Sequence, residues 1–110
     1  MAFTPYHNIL GTAGLDQQLI RVGENVTNIK SILLTNVHGS NDATVSLFIQ
    51  DNPTAAAANT FYILSTVAIP SDMSLLLNDV DLLDFDNSSA GYGLYITVAS
   101  GDKVDVFINR

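Results

Sequence analysis

The chain is 110 residues long, carries a formal net charge of -7 and contains no cysteine. Its length suits one domain; the missing cysteines exclude disulfides, thiolate zinc sites and cysteine nucleophiles; and the acidic balance repels phosphate backbones, so no nucleic-acid partner is expected. Only 14% of residues are charged against 47% hydrophobic, well under the ~25% charged residues of an average soluble protein, so Thr, Ser and Asn must cover much of the surface.

The chain opens with Met1-Ala2-Phe3-Thr4-Pro5-Tyr6-His7, which lacks the basic start and apolar stretch of a secretory signal. No window approaches the ~18 consecutive apolar residues of a spanning helix. A soluble protein made without export, with no membrane partner, is expected. Residues 1–16 are expected to form an N-terminal arm held against the domain or a neighbour, because free termini otherwise fray. Phe3, Pro5, Tyr6, Ile9 and Leu10 of that arm are candidate partner-binding residues. A single β-sandwich domain is expected over 17–110.

The hydrophobic period is two, the signature of half-buried strands. In Ala43–Gln50, Ala43, Val45, Leu47 and Ile49 share one face while Thr44, Ser46 and Gln50 share the other. Leu94, Ile96 and Val98 alternate with Tyr95, Thr97 and Ala99, and Val104, Val106 and Ile108 alternate with Lys103, Asp105, Phe107 and Asn109. Ile29 to Val37 has apolar residues on both faces, as a strand covered on both sides would. Phe61 to Ile69 places Ile63, Val67 and Ile69 on one face and Tyr62 and Leu64 on the other. Shorter strands are predicted at Gln18–Val22, Ser74–Leu77 and Leu82–Phe85. Turn-forming Gly, Asn, Asp, Ser and Pro clusters separate them. Thr54 to Asn59 contains four alanines and could form one helical turn. About eight short strands at this spacing predict an all-β fold, an antiparallel sandwich or a small jelly roll. Sheet edges are usually guarded by lysine, proline or charge. This chain has only Lys30 and Lys103 as lysines, and its prolines fall in turns or near the N-terminus. Faces and edges alike therefore suit contact with other protein, although Thr and Ser are also common on strands facing water.

The most prominent polar cluster is Asp79, Asp81, Asp84 and Asp86. Calcium takes six to eight oxygens, and clustered carboxylates supply them. The spacing lacks the glycine and terminal glutamate of an EF-hand loop, and the interleaved apolar residues favour an amphipathic strand or turn with its acids in water. No metal and no cofactor is expected, the four aspartates being the weak candidates. His7 and His38 are the only histidines. They read as hydrogen-bonded arm and loop residues rather than a general base, because no strand-turn-helix nucleophile element accompanies them. Gly11-Thr12-Ala13-Gly14 lacks the lysine of a phosphate-binding loop, and Gly91-Tyr92-Gly93 reads as a flexible lead-in to the strand at Leu94. Asn25-Val26-Thr27 and Asn87-Ser88-Ser89 match the glycosylation triplet by coincidence if the chain is not exported. Tyr62, Tyr92, Tyr95, Phe48 and Phe107 could form a sugar platform, but without tryptophan they better suit a core rim or a subunit interface. Tyr92, Tyr95 and Phe107 join the candidate partner-binding residues.

The order of these segments resembles small virion structural proteins of tailed bacteriophages, especially those of marine cyanophages. The stretches that carry the resemblance begin with Ser31-Ile32-Leu33-Leu34-Thr35-Asn36-Val37, Val45-Ser46-Leu47-Phe48-Ile49 and Val67-Ala68-Ile69-Pro70. They continue with Ser74-Leu75-Leu76-Leu77, Gly93-Leu94-Tyr95-Ile96-Thr97-Val98 and Val104-Asp105-Val106-Phe107-Ile108. Together they cover most of the chain after residue 30. The resemblance implies a non-enzymatic virion subunit, assembled in the host cytoplasm, that decorates or cements a capsid by binding the particle surface and self-associates through strand edges and the N-terminal arm as a homo-oligomer such as a trimer. Its implied partners are other virion proteins, a major capsid or tail protein. The alternative is a tail or fibre-tip module that binds host-surface glycan.

Overall fold

Alternation along each strand gives it one apolar and one polar face, and eight such strands can hide their apolar faces only by stacking as two sheets. The computed structural model describes residues 5–11, 16–37, 40–51 and 59–110. The strands are β1 (Tyr6–Leu10), β2 (Gln17–Ile20), β3 (Ser31–Asn36), β4 (Ala43–Gln50), β5 (Thr60–Ile69), β6 (Ser74–Leu77), β7 (Gly93–Val98) and β8 (Lys103–Asn109), with one helical turn, α1 (Val80–Leu83), between β6 and β7. Sheet A has the order β1-β8-β3-β6 and sheet B the order β2-β7-β4-β5. Every pairing is antiparallel. The protein is thus the antiparallel β-sandwich that the alternation predicts. Strand β1 pairs with β8, β2 with β7, β3 with β6 and β4 with β5. The chain is therefore one long ribbon, doubled back at the β4–β5 connection and wrapped into two sheets.

Three expectations about the strands change. Tyr6–Leu10, assigned to an arm, is a strand of sheet A paired residue for residue with β8, from Tyr6 opposite Phe107 to Leu10 opposite Lys103. Its backbone amides and carbonyls satisfy the open edge of β8, which a detached arm would leave to water. Leu82–Phe85, predicted as a strand, contributes to α1 instead. Asp79 caps that turn by accepting from the Asp81 amide at 3.1 Å, and acids at the cap and in the first turn favour the helix start. Leu64 turns inward rather than beside Tyr62: register shifts in the β4–β5 ladder place it opposite Leu47. Thr66, at φ 53°, sits in this irregular stretch, and its amide bonds the Ser46 hydroxyl at 2.9 Å. The alanine-rich turn predicted at Thr54–Asn59 falls, apart from non-helical Asn59, outside the described residues, as does His38.

The core is the single layer between the sheets. Ile32, Leu34, Val104, Val106 and Ile108 of sheet A meet Val45, Leu47, Leu94, Ile96 and Val98 of sheet B, all essentially without solvent contact. Each such side chain contributes roughly 1.5–3 kcal/mol on burial. Gly93 is no flexible lead-in: a Cβ there would stand 2.6 Å from the Ile20 carbonyl oxygen, so the close approach of β2 to β7 requires glycine.

Two buried asparagines clamp the ends of the sandwich. Asn87 accepts from the Val26 amide at 2.8 Å and donates to the carbonyls of Arg21 and Tyr92, each at 2.7 Å. Asn36, at the other end of β3, donates to the carbonyls of Asn41 and Ile69 at 2.9 Å. Each side chain satisfies backbone groups that the loops cannot pair for themselves, and stranded buried groups cost about 1–3 kcal/mol apiece. Asn87→Ala and Asn36→Ala are each expected to lower unfolding free energy by about 2–4 kcal/mol in urea titrations, while the exposed Asn78→Ala changes it by under about 0.5 kcal/mol.

Candidate functional site

Opposed residues of an antiparallel pair point to the same side, so register reads out each outer face as transverse rows. On sheet A one row is Tyr6, Phe107, Leu33 and Leu76, running across all four strands. Tyr6 is 63% exposed, Leu76 53% and Phe107 46%, and Leu33 is half-buried. The Tyr6 and Phe107 rings lie 4.8 Å apart, tilted by 57°. The next row is polar and already paired within itself: Asn8 donates to Asp105 at 2.8 Å, and the Thr35 and Ser74 hydroxyls share a 2.9 Å bond. Beyond it, exposed Leu10 and Val37 flank Lys103. Sheet A therefore carries an apolar stripe open to water, bordered by a polar row whose hydrogen bonds are largely met.

Sheet B differs. None of its four strands contains a charged residue. Its central outer row is Gln18, Tyr95, Phe48 and Tyr62. The rings stack across strands, with Phe48 centroids 5.9 Å from Tyr95 and 5.2 Å from Tyr62, and Gln18 donates to the Tyr95 hydroxyl at 3.3 Å. Phe48 and Tyr95 are buried despite facing away from sheet A, whereas Tyr62 is 59% exposed. At the nearby strand ends Phe61 is also exposed and meets Tyr92 edge-on at 5.8 Å.

The candidate partner-binding residues separate accordingly. Tyr6, Leu10 and Phe107 are exposed on one face of sheet A. Ile9 belongs to the core and Tyr95 is buried in the ring stack, so neither presents a surface to a partner: strand pairing turned Ile9 inward, and Phe48 and Gln18 enclose Tyr95. Pro5 is half-buried, its carbonyl accepting from the Ile108 amide at 2.8 Å. Tyr92 is half-buried against Phe61, and Phe3 lies outside the described residues. Sequence reasoning missed Leu33 and Leu76 as surface residues. The only signal for them was the apolar residue on the wrong side of each alternation.

Asp79, Asp81, Asp84 and Asp86 are all exposed. Asp81 and Asp84 border an open groove of about 390 Å³ that also contains Lys30. Asp79 is occupied as a helix cap and Asp86 accepts from the Ser88 amide at 2.9 Å. Among the described residues no three His, Asp or Glu side chains gather as a metal site requires. His7 stands in β1 opposite Val106, on the inward-facing register. The Ser88 amide and then its side chain hold the Asp86 carboxyl below the ordinary value. The Asn59 side chain and then its amide do the same for Asp51, closing the base of the β4–β5 connection with bonds of 2.9 and 2.6 Å.

No helix among the described residues is long and apolar enough to cross a membrane. No protein-family model, no curated protein and no solved structure matches the chain.

Because Asp51 and Asp86 ionise more readily folded than unfolded, the stability they contribute is whole above the ordinary value of 3.8 and is lost as pH falls through their lower folded values. Between about pH 5 and about pH 2.5, the melting temperature of D51N/D86N is expected to fall less than that of the parent. Millimolar calcium is expected to leave thermal stability unchanged. A site saturated a hundredfold would add ~2.7 kcal/mol, and a rise abolished by D79N/D81N would establish a metal role for the aspartates.

Proposed function

We propose that the protein is a non-enzymatic structural subunit that works through its sheet faces, as a capsid decoration or cement subunit of a tailed-phage particle. The observation that carries this reading is the apolar stripe Tyr6–Phe107–Leu33–Leu76, laid across a whole sheet face and open to solvent. Monomeric proteins rarely leave contiguous apolar surface of this kind uncovered, and such patches mark contact sites. The wrapped-ribbon strand order supports it, because we read this connectivity as that of a jelly roll, an architecture found among viral capsid and lectin domains. The distribution of charge supports it too. Sheet B has no charged strand residue and sheet A only Lys103 and Asp105 besides His7, so most acids sit in the connections.

Contact through faces is favoured over contact through edges. Edge strands β1, β2 and β6 have five, four and four residues. The fourth edge, β5, is ten residues long but irregular in register. Short and bulged edges resist strand addition. The N-terminal segment contributes as a strand of the docking face, so its removal would uncover β8 as well as delete contact residues.

As a virion component the chain should appear at a fixed copy number per particle in quantitative mass spectrometry of purified virions, and on the particle surface in electron cryomicroscopy. Its absence from washed particles, with abundance in the infected-cell lysate, would refute the reading. The exposed Phe61, Tyr62 and half-buried Tyr92 favour a second reading, a glycan-binding tip module. Glycan-array signal that disappears in Tyr62→Ala and Tyr92→Ala, with the particle surface unoccupied, would establish that alternative in place of decoration.

A further inference from the structure

We infer that the edge of β8 is a strand-acceptor site, and that its occupant in the assembled protein is β1 of a second copy of this chain, exchanged for the copy's own. The inference deepens the structural-subunit reading and rests on it. The structure shows what fits this edge, because residues 5–11 lie along it. All five ladder pairs of β1 are made with β8. The Pro5 carbonyl accepts from the Ile108 amide at 2.8 Å, the Gly11 amide donates to the Asp102 carbonyl at 2.8 Å, and the Gly11 carbonyl accepts from the Gly101 amide at 3.2 Å. Side chains set the register: the Tyr6 ring lies against Phe107, Asn8 donates to Asp105, and Ile9 enters the core. From β2, the Gln17 side chain donates to the Leu10 carbonyl at 3.0 Å. These partners belong to the body that receives the strand, so they are equally available to residues 5–11 of a neighbouring copy.

Charge singles out this segment for exchange. Residues 1–15 contain no Asp, Glu, Lys or Arg, and all 11 acids and all 4 bases come after them. Two bodies of charge -7 repel each other, but the strand that passes between them carries no acid. Only one side chain of β1, Ile9, is buried, so β1 opens more readily than the central strands. Exchange leaves no new edge exposed, because each copy keeps a four-stranded sheet A. The closed and exchanged forms make the same strand contacts and differ in the link to β2 and in the cost of bringing two copies together. Swapping an identical element is for that reason a low-cost route to oligomers.

Reach and concentration decide where exchange occurs. Four residues separate Gly11 from Asp16, a covalent span of at most roughly 17 Å, so the strand passes only to a copy in direct contact. A strand on so short a tether has an effective concentration on the order of millimolar. Dilute protein therefore keeps β1 in its own sheet, and exchange takes over where copies are packed side by side, as subunits on a particle are.

The chain has no cysteine, so introduced thiols report this pairing without interference. Asn8 and Asp105 are opposed across β1 and β8, at a Cα separation of roughly 4.5–5.5 Å that a disulfide spans. Full-length Asn8→Cys and Asp105→Cys variants, each confirmed folded by circular dichroism, are mixed at about 1 mM in a glutathione redox buffer and read by non-reducing intact mass. The expected covalent heterodimer exceeds at least ~5-fold that from Asn8→Cys mixed with Ser74→Cys, whose exposed thiol on the same face meets others by collision alone, and the excess shrinks at about 10 µM. The double variant Asn8→Cys/Asp105→Cys, oxidised while dilute, holds β1 in its own sheet. It is expected to stay monomeric at about 1 mM in sedimentation velocity and to dimerise once reduced. A heterodimer yield equal to the Ser74→Cys control, or a dimer that survives the intrachain lock, would overturn the inference. A fixed-copy virion component without exchange sinks the exchange alone, whereas exchange in a protein absent from particles sinks the virion reading alone.

Discussion

A sandwich without disulfides depends on one layer of side chains, about 10 Å thick, between two sheets. Every strand must send alternate residues into that layer, so strand register in both sheets is bound to the hydrophobic pattern; a slip by one residue would exchange inside for outside. The inner positions of β3, β4, β7 and β8 are accordingly buried, only Ile49 at the end of β4 being half-buried, and all are apolar apart from Asn36. Asn36 is admitted because its amide serves two carbonyls at the rim, that of Asn41 in the loop and that of Ile69 at the end of β5. The same alternation leaves every second residue outside the core, free to be selected for something other than folding. In this protein those positions hold a transverse apolar stripe on one sheet and an uncharged, ring-stacked surface on the other.

Charge is partitioned between strands and connections. The acidic residues fall mainly in turns, where several bond nearby backbone amides: Asp51 to Asn59, Asp79 to Asp81, Asp86 to Ser88 and Asp102 to Thr44. A carboxylate so used stabilises a turn and stays hydrated at the same time. Ionised acids in the connections also keep the ends of the sandwich repulsive to other copies. Repulsion is thus concentrated at the ends of the sandwich, and the sheet faces are left nearly without charge. This arrangement accounts for a protein that is at once strongly acidic and poor in charge overall.

Asn87 links the fold to the faces. It joins the segment after β2 to the segment before β7 through three side-chain bonds, while its own carbonyl accepts from Gly23 and Asn25 at 3.2 Å. The connection carrying α1 crosses from sheet A to sheet B at this end of the sandwich, and Leu83 anchors it in the core. A ribbon wrapped into two sheets needs such anchors wherever it changes sheet, because the backbone there has no ladder partner. The rigidity of the two outer faces rests on these few polar clamps as well as on the core.

Periodicity alone determined the all-β class and the bounds of β4, β6 and β8, because period-two alternation in β-branched and aromatic residues is a local property of the chain. It also marked Phe107 as an outward ring. It could not show that Tyr6–Leu10 would close the edge of β8, since that pairing joins residues about a hundred positions apart in sequence. Nor could it place Leu64 inward, which depends on irregular register opposite β4. The aspartate-rich segment read as a strand because Leu82, Leu83 and Phe85 masked the capping role of Asp79. Above all, Tyr6, Leu33, Leu76 and Phe107 lie on four different strands, and only the order of those strands brought them into one row. A side chain's inward or outward direction is written in its immediate neighbours, but which outward residues stand together is decided by hydrogen bonds between distant segments, and only the tertiary structure contains those.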